Sequence, residues 1–197
     1  MINMEYIGNE SEWITDELMS LLTNNTGSKL PVWDRNRFRG HPLLEEVGVA
    51  GQNYYGDTIP DKFFHVFYSQ TDCMKNYDFT LPNLIKPQSS IVWWFTKLNP
   101  GEFQFMHYDA ILLGVAHDDP EFTNVASAKK LINPKRYTMF LQDYHPGHAF
   151  IYDDNLSVNY KKGDLYEWNN PETLHGVINI SFKPRYTLQL VMYDNAI

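Results

Sequence analysis

Residues 99–109, NPGEFQFMHYD, open on an Asn-Pro-Gly turn signal and continue in strict alternation. Phe103, Phe105, His107 and Asp109 share one parity; Gln104, Met106 and Tyr108 share the other. This period of two predicts a strand, with residues two apart on one face at a spacing of about 6.6 Å. The pattern upstream is different. Trp13, Ile14, Leu18, Leu21 and Leu22 recur at helical spacing, and Asn9 with Glu12 three residues later has the form of a capping box, so a helix is expected from Asn9 to about Leu22. A second helix is expected from Thr58 or Pro60 to Lys75, carrying Phe63, Phe64, Val66, Phe67 and Met74, with His65 packed among aromatics.

After Ser90 the reading is strand-like to the C-terminus. Ile91–Leu98, Arg136–Gln142, His148–Tyr152, Leu156–Tyr160, Asp164–Trp168, Leu174–Ile180 and Pro184–Tyr193 are short apolar or alternating runs, separated by clusters of Pro, Gly, Asn, Asp and Lys. The fold class expected is mainly β with N-terminal helices: a double-stranded β-helix, or jelly roll, of cupin-like form. The 197 residues suit a single domain, with 1–90 as a helical and irregular buttress and 91–197 as the β core, interrupted by an insertion at 110–135.

An apolar fraction of 43% with 15% aromatics excludes a disordered or fibrous chain. The formal net charge of -8 argues against a nucleic-acid partner. Arg35, Arg37 and Arg39 form a local exception, read as a solvated loop or, less favoured, as a basic rim for an anion. One cysteine, Cys73, rules out an intramolecular disulfide and a cysteine-rich zinc site. The first residues lack the form of a signal peptide and no apolar run reaches the length of a membrane span, so a cytoplasmic protein is expected.

Chemistry enters through a few positions. His107 and Asp109 fall on one face of the same strand, and a second imidazole from a distant strand would complete the two-histidine, one-carboxylate set that holds non-haem Fe(II) with coordination positions open. His175, at the start of the apolar strand after a turn, is the candidate for that imidazole. Arg185 and Thr187 share strand parity and offer a guanidinium fork plus a hydroxyl, a combination suited to a carboxylate.

The order HxD at 107–109, His175, then RxT at 185–187 on strands of such a barrel resembles the Fe(II)- and 2-oxoglutarate-dependent oxygenase superfamily, over roughly Ile91 to Tyr193. The resemblance implies that His107, Asp109 and His175 bind Fe(II) and that Arg185 with Thr187 binds the distal carboxylate of the cosubstrate 2-oxoglutarate. It also implies hydroxylation of a C–H bond with release of succinate and carbon dioxide. The carboxylate at Asp109 speaks for hydroxylation rather than halogenation. Relatives often supply a further 2-oxoglutarate contact from the strand that Arg136, Tyr137 and Thr138 open here, and which side chain faces inward is left open. Trp94, Tyr108 and Gln142 are candidates to line a substrate pocket, with ordinary core or surface roles equally open. His145 and His148, flanking a Pro-Gly turn, are read as solvent-facing. The substrate class is a small molecule or a peptide. Two alternatives stand beside this reading: a cupin-like metal protein with no use for 2-oxoglutarate, and a non-catalytic jelly-roll module that binds a ligand.

Overall fold

A computed structural model describes residues 4–29, 65–69, 71–107, 132–152, 155–168 and 175–194. They form two antiparallel sheets. The strands are β1 (Met4–Asn9), β2 (Ser28–Lys29), β3 (His65–Tyr68), β4 (Ser90–Leu98), β5 (Phe103–His107), β6 (Ile132–Phe140), β7 (His148–Tyr152), β8 (Asn155–Ser157), β9 (Asp164–Trp168), β10 (His175–Asn179) and β11 (Arg185–Asp194). The larger sheet has the order β1-β9-β6-β11-β4-β3-β2 and the smaller β5-β10-β7-β8. From β4 onward the chain passes repeatedly between them: β4 in the larger sheet, β5 in the smaller, β6 back, β7 and β8 across, β9 back, β10 across and β11 back. This winding makes the fold a double-stranded β-helix, or jelly roll.

Alternation along β11 separates two cores. Val191, on the parity of Arg185, Thr187 and Gln189, joins Val92, Trp94, Leu98, Phe140, Phe150, Trp168 and Val177 in the cluster between the sheets. Tyr186, Leu188, Leu190 and Met192, on the opposite parity, join Phe67, Phe95, Met139 and Leu165 in a second cluster behind the larger sheet. A helix, α1 (Asp16–Asn24), covers this outer face with Leu18 and Leu22. Both faces of the larger sheet are thus buried along β11, where every residue from Arg185 to Met192 is inaccessible.

The N-terminal third departs from the sequence expectation. Asn9 ends β1 instead of capping a helix: its amide donates to the Lys162 carbonyl at 2.8 Å and to Asp164 at 2.9 Å, tying β1 to the turn before β9. A short 3-10 turn, Ser11–Trp13, follows, and α1 begins only at Asp16, capped by the Thr15 hydroxyl accepting from Leu18 N at 3.1 Å. Gly163 lets this entry pack closely. Its φ is +88° and the Ser11 backbone occupies the space a Cβ would need.

The second helix, expected from Thr58 to Lys75, is corrected over its described part. His65–Tyr68 is strand β3, paired with β4 from Lys97 to Trp94, and only a 3-10 turn at Asp72–Met74 follows. A four-residue apolar run fits either period, and the open edge of β4 decided it. His65 is buried as expected, its Nε2 3.2 Å from Glu102 Oε1. Among the described residues, the region before Ser90 therefore supplies three strands as well as one α-helix to the buttress. Strand β6 begins at Ile132, inside the predicted insertion, while 108–131 lie outside the described residues, as does the Arg35, Arg37 and Arg39 segment. Among the described residues no helix is long and apolar enough to cross a membrane.

Lys97 joins helix to sheet. Its ammonium reaches the carbonyls of Leu22 at 3.1 Å, Thr23 at 3.0 Å and Asn25 at 3.2 Å, occupying all three donors at the α1 C-terminus. Lys97→Met should cost about 2 kcal/mol, since it leaves helix-end carbonyls unsatisfied at a buried contact. Urea unfolding with an unchanged m-value is the check, and a loss below about 0.5 kcal/mol would show that the contact is ornamental.

Candidate functional site

The interior between the sheets is unusually polar on one side. Arg185, Thr187 and Gln189 stand on the inner face of β11, with Arg136 and Thr138 beside them on β6 and Thr96 on β4. Hydrogen bonds connect them in sequence. Gln189 Oε1 accepts from Arg136 Nη2 at 3.2 Å and from the Thr138 hydroxyl at 2.8 Å, which fixes its amide so that Nε2 donates to Thr187 Oγ1 at 3.3 Å. Thr187 and Thr96 share a 2.6 Å hydroxyl contact. Trp168 Nε1 donates to Thr138 at 3.0 Å and presents its ring to the Arg136 guanidinium at 3.9 Å.

His175 lies at the far side of this network. It opens β10, is 2% exposed, and packs edge-on against Trp168 at 4.7 Å between ring centroids. Its Nε2 is 3.4 Å from Arg136 Nη2. The β5–β10 ladder places His107 directly opposite His175, and the register shifts immediately after, between His175 and Val177. Paired positions in an antiparallel ladder share a face, and an irregularity of this kind re-aims a strand end. The strand geometry thus brings the His107 and His175 positions together. Asp109 and Tyr108 lie outside the described residues. Among the described residues no three His, Cys, Asp or Glu side chains gather. What is described of the predicted triad is one buried imidazole whose Nε2 accepts a hydrogen bond, a form able to donate to a divalent metal, and the backbone position paired with it.

Arg185 is the second pole. Its side chain is 1% exposed, lies over the rings of Phe140 at 5.4 Å and Phe150 at 5.9 Å, and hydrogen-bonds the Tyr160 hydroxyl. Among the described residues its Nε and Nη2 have no hydrogen-bond partner. Burial lowers the pKa of Arg185, with Tyr160 opposing the shift, and takes that of Arg136 down to about 9.

Behind Arg185 a relay closes that end of the barrel. His148 Nε2 lies 3.0 Å from the Lys183 carbonyl, so it carries the proton, and Nδ1 accepts from Tyr160 Oη at 3.2 Å. His148 is therefore buried rather than solvent-facing, because β7 begins at this residue and its inner face meets Tyr160. Asn179 donates to the Leu98 and Lys183 carbonyls at 2.9 and 2.8 Å and accepts from Ser181, pinning the turn from which Arg185 emerges.

The other sequence candidates separate cleanly by parity. Arg136 faces the interior, whereas Tyr137 points to the outer cluster near Lys135 and Glu167, its pKa pushed up to about 12 chiefly by burial. Trp94 lines the inner cluster, in ring contact with Tyr68. Gln142 is a strut: it donates to the Pro184 carbonyl at 2.8 Å and accepts from Tyr186 N at 3.0 Å. Gln189, Thr96, Trp168 and Tyr160 were not singled out from sequence. Gln189 carried a signal, since it continues the alternation RxTxQ.

No family model and no curated protein matches the chain. Solved structures similar to it include a sugar phosphate isomerase from a cupin superfamily, from Silicibacter pomeroyi, at 13% identity and a TM-score of 0.34, covering 53% of this chain and 51% of that one. A predicted oxalate decarboxylase from Thermotoga maritima is similar at 14% identity and a TM-score of 0.33, over 52% of this chain and 65% of that one. A Cupin 2 conserved barrel domain protein from Salinispora arenicola aligns at 11% identity and a TM-score of 0.35, over 66% and 75%. The chain spans only about half of the isomerase's length.

Burial lowers the pKa of His148, with Arg185 and His145 adding positive charge nearby and the Lys183 carbonyl opposing the shift. Below its ordinary pKa of 6.5 the unfolded chain takes up this proton while the folded chain does not, so stability falls with pH across that window and is fully present above it. His148→Gln should flatten stability against pH below about 6.5, by at most about 1.4 kcal/mol per pH unit, the limit for one proton. Parallel urea curves for variant and wild type at about pH 5 and pH 7 measure the difference, and identical slopes would show that His148 is not held neutral.

Proposed function

We propose that the barrel interior binds 2-oxoglutarate through Arg185 and Thr187 and Fe(II) through His107, Asp109 and His175, and that the chain is a dioxygenase hydroxylating a C–H bond of a small-molecule or peptide substrate. One observation carries this reading: Arg185, a guanidinium of high intrinsic basicity, is buried and partnered by no carboxylate of the described residues, with Nε and Nη2 unsatisfied among them. An uncompensated guanidinium in a protein interior costs several kcal/mol. A ligand carboxylate supplies the missing partner, and the edge of the guanidinium carrying Nε and Nη2 can bind it in bidentate fashion.

The surrounding residues fit such a ligand. Thr187 adds a hydroxyl at the next same-face position, and Thr96 and Gln189 hold that hydroxyl in place. Phe140 and Phe150 shield the ion pair from water and strengthen it. Tyr160, backed by His148, holds the guanidinium from behind. A dicarboxylate gripped at this end would extend toward His175. Fe(II), when bound there, supplies activation of dioxygen, coupled to the oxidative decarboxylation of 2-oxoglutarate to succinate and carbon dioxide.

Anaerobic titration with Fe(II) and 2-oxoglutarate, followed through the visible charge-transfer band of a chelated keto acid, tests the reading. The band should vanish in His175→Ala and require at least tenfold more cosubstrate in Arg185→Met, the loss of roughly 1.4 kcal/mol or more for a charge-assisted contact. Metal binding without a band in the wild type would favour the cupin-like alternative, and ligand binding without metal the non-catalytic module. Arg185→Met should also raise the ligand-free stability by about 1 kcal/mol or more, because a similar apolar volume replaces an unpaired buried charge. A thermal melt without ligand reads this directly, and a destabilised variant would mean that Arg185 is structural.

A further inference from the structure

Trp168 carries an N–H and no lone pair, so its 3.0 Å bond to the Thr138 hydroxyl can run in one direction only. That bond starts a chain along the inner face of the barrel. The Gln189 amide atom 3.2 Å from Arg136 Nη2 must be its oxygen, because a guanidinium nitrogen only donates, and the Thr138 hydroxyl 2.8 Å away therefore gives its proton to the same oxygen. The Gln189 nitrogen is left facing Thr187 Oγ1 at 3.3 Å and donates to it. Three successive bonds thus point the same way, and all four side chains are buried. The chain ends on a surplus proton. Thr187 and Thr96 bring two hydroxyl protons to a 2.6 Å contact that uses one of them. Thr187 cannot pass its own proton back along the chain, since Gln189 presents an N–H there. Among the described residues the second proton meets no acceptor, and a buried hydroxyl left in that state is costly.

We propose that Trp168, Thr138 and Gln189 are positioning residues that make Thr187 an obligate hydrogen-bond donor to the ligand carboxylate. The inference rests on the carboxylate site proposed above and assigns a role to the residues behind the Thr187 hydroxyl. An ionised carboxylate accepts hydrogen bonds and donates none, so it needs donors only. Thr187 stands two residues from Arg185 on the inner face of β11, and its hydroxyl by itself could serve as donor or acceptor. Once the Thr96 hydroxyl turns to donate to it, both lone pairs of Thr187 are filled, one by Gln189 and one by Thr96, and it can only donate. The direction of the chain is set before the ligand arrives, so only the Thr96 hydroxyl has to turn in the complex.

Gln189→Glu reverses the last link while keeping the others. The oxygen facing Arg136 and Thr138 remains, but the second oxygen only accepts and draws the Thr187 proton away from the ligand. Calorimetric titration of the full chain with 2-oxoglutarate reads the effect, with Mn(II) as a redox-stable stand-in for Fe(II) and at about pH 8, where the new carboxylate is ionised. We expect Gln189→Glu to weaken 2-oxoglutarate roughly tenfold or more, the scale of one hydrogen bond to a charged group, and Thr187→Val to lose about as much. Combined, the two should fall short of the product of their separate losses by roughly fivefold or more, since without the hydroxyl there is no link to reverse. Thr187→Ser, which keeps a hydroxyl, should keep the full sensitivity to Gln189→Glu. The added negative charge acts on the ligand whether or not the hydroxyl is present, so repulsion alone gives losses that multiply. Gln189→Met deletes the donor without adding charge and should lose roughly threefold or more, again only where Thr187 is intact. Losses that multiply in the Gln189→Glu cycle or, should that variant not fold, in the Gln189→Met cycle would overturn the inference and leave the carboxylate site standing. Wild-type binding that Thr187→Val leaves untouched would remove Thr187 from the site and the inference with it. No 2-oxoglutarate binding by the wild type would overturn the carboxylate reading itself.

Discussion

The architecture depends on one strand being buried on both faces with opposite chemistry on each. Along β11 the period of two sends Tyr186, Leu188, Leu190 and Met192 into the outer core, while Arg185, Thr187 and Gln189 go into the barrel. Burying a large apolar side chain is worth about 1.5–3 kcal/mol. The polar face gains nothing comparable, and at Arg185 it carries an uncompensated charge. The outer layer of α1, β3 and the aromatics Trp13, Phe79 and Trp93 is therefore what makes a polar interior tolerable. A one-residue slip of β11 would exchange the two sets, sending the Arg185 guanidinium to the outer face and the leucines into the barrel.

That constraint explains why the buttress matters and why Lys97 stands where it does. Lys97 lies on the outer parity of β4, opposite Tyr186 across the ladder, and reaches the C-terminus of α1 from there. The ammonium is satisfied by helix carbonyls, while burial lowers its pKa and Glu102 opposes the shift. One side chain thus anchors the helix over the strand whose other face carries the site.

The barrel was legible because alternation is a strong signal wherever a strand has one polar face. The residues 99–109 and 184–193 showed it plainly, and His107, Asp109, Arg185 and Thr187 were picked out by it, whereas His175 was picked out by its place at a strand start after a turn. Parity did not reveal which alternate set faces inward. RYTMF on β6 offers Arg136, Thr138 and Phe140 or Tyr137 and Met139, and only the neighbouring strands decide between them. Strand β3 was misread because four apolar residues carry too little period to distinguish strand from helix, and the unpaired edge of β4 supplied the rest. His148 was misread as solvent-facing and Tyr160 left no mark, since their pairing joins two elements through a contact that no local pattern encodes.

The two ends of the candidate site differ in how they are held, and this bears on the order in which a ligand would be recognised. Arg185 follows directly from a turn locked by Asn179, Ser181 and the Lys183 carbonyl, is braced by the Tyr160–His148 pair, and has Gln142 bridging Pro184 to Tyr186 beside it. These bonds fix the backbone and the back of the guanidinium, so little conformational freedom is left to lose when a carboxylate arrives. At the other end Arg136 lies against the Trp168 ring, donates to the Gln189 amide oxygen and approaches His175 Nε2. A ligand carboxylate would therefore meet at Arg185 a pole already fixed in place, and recognition would start there.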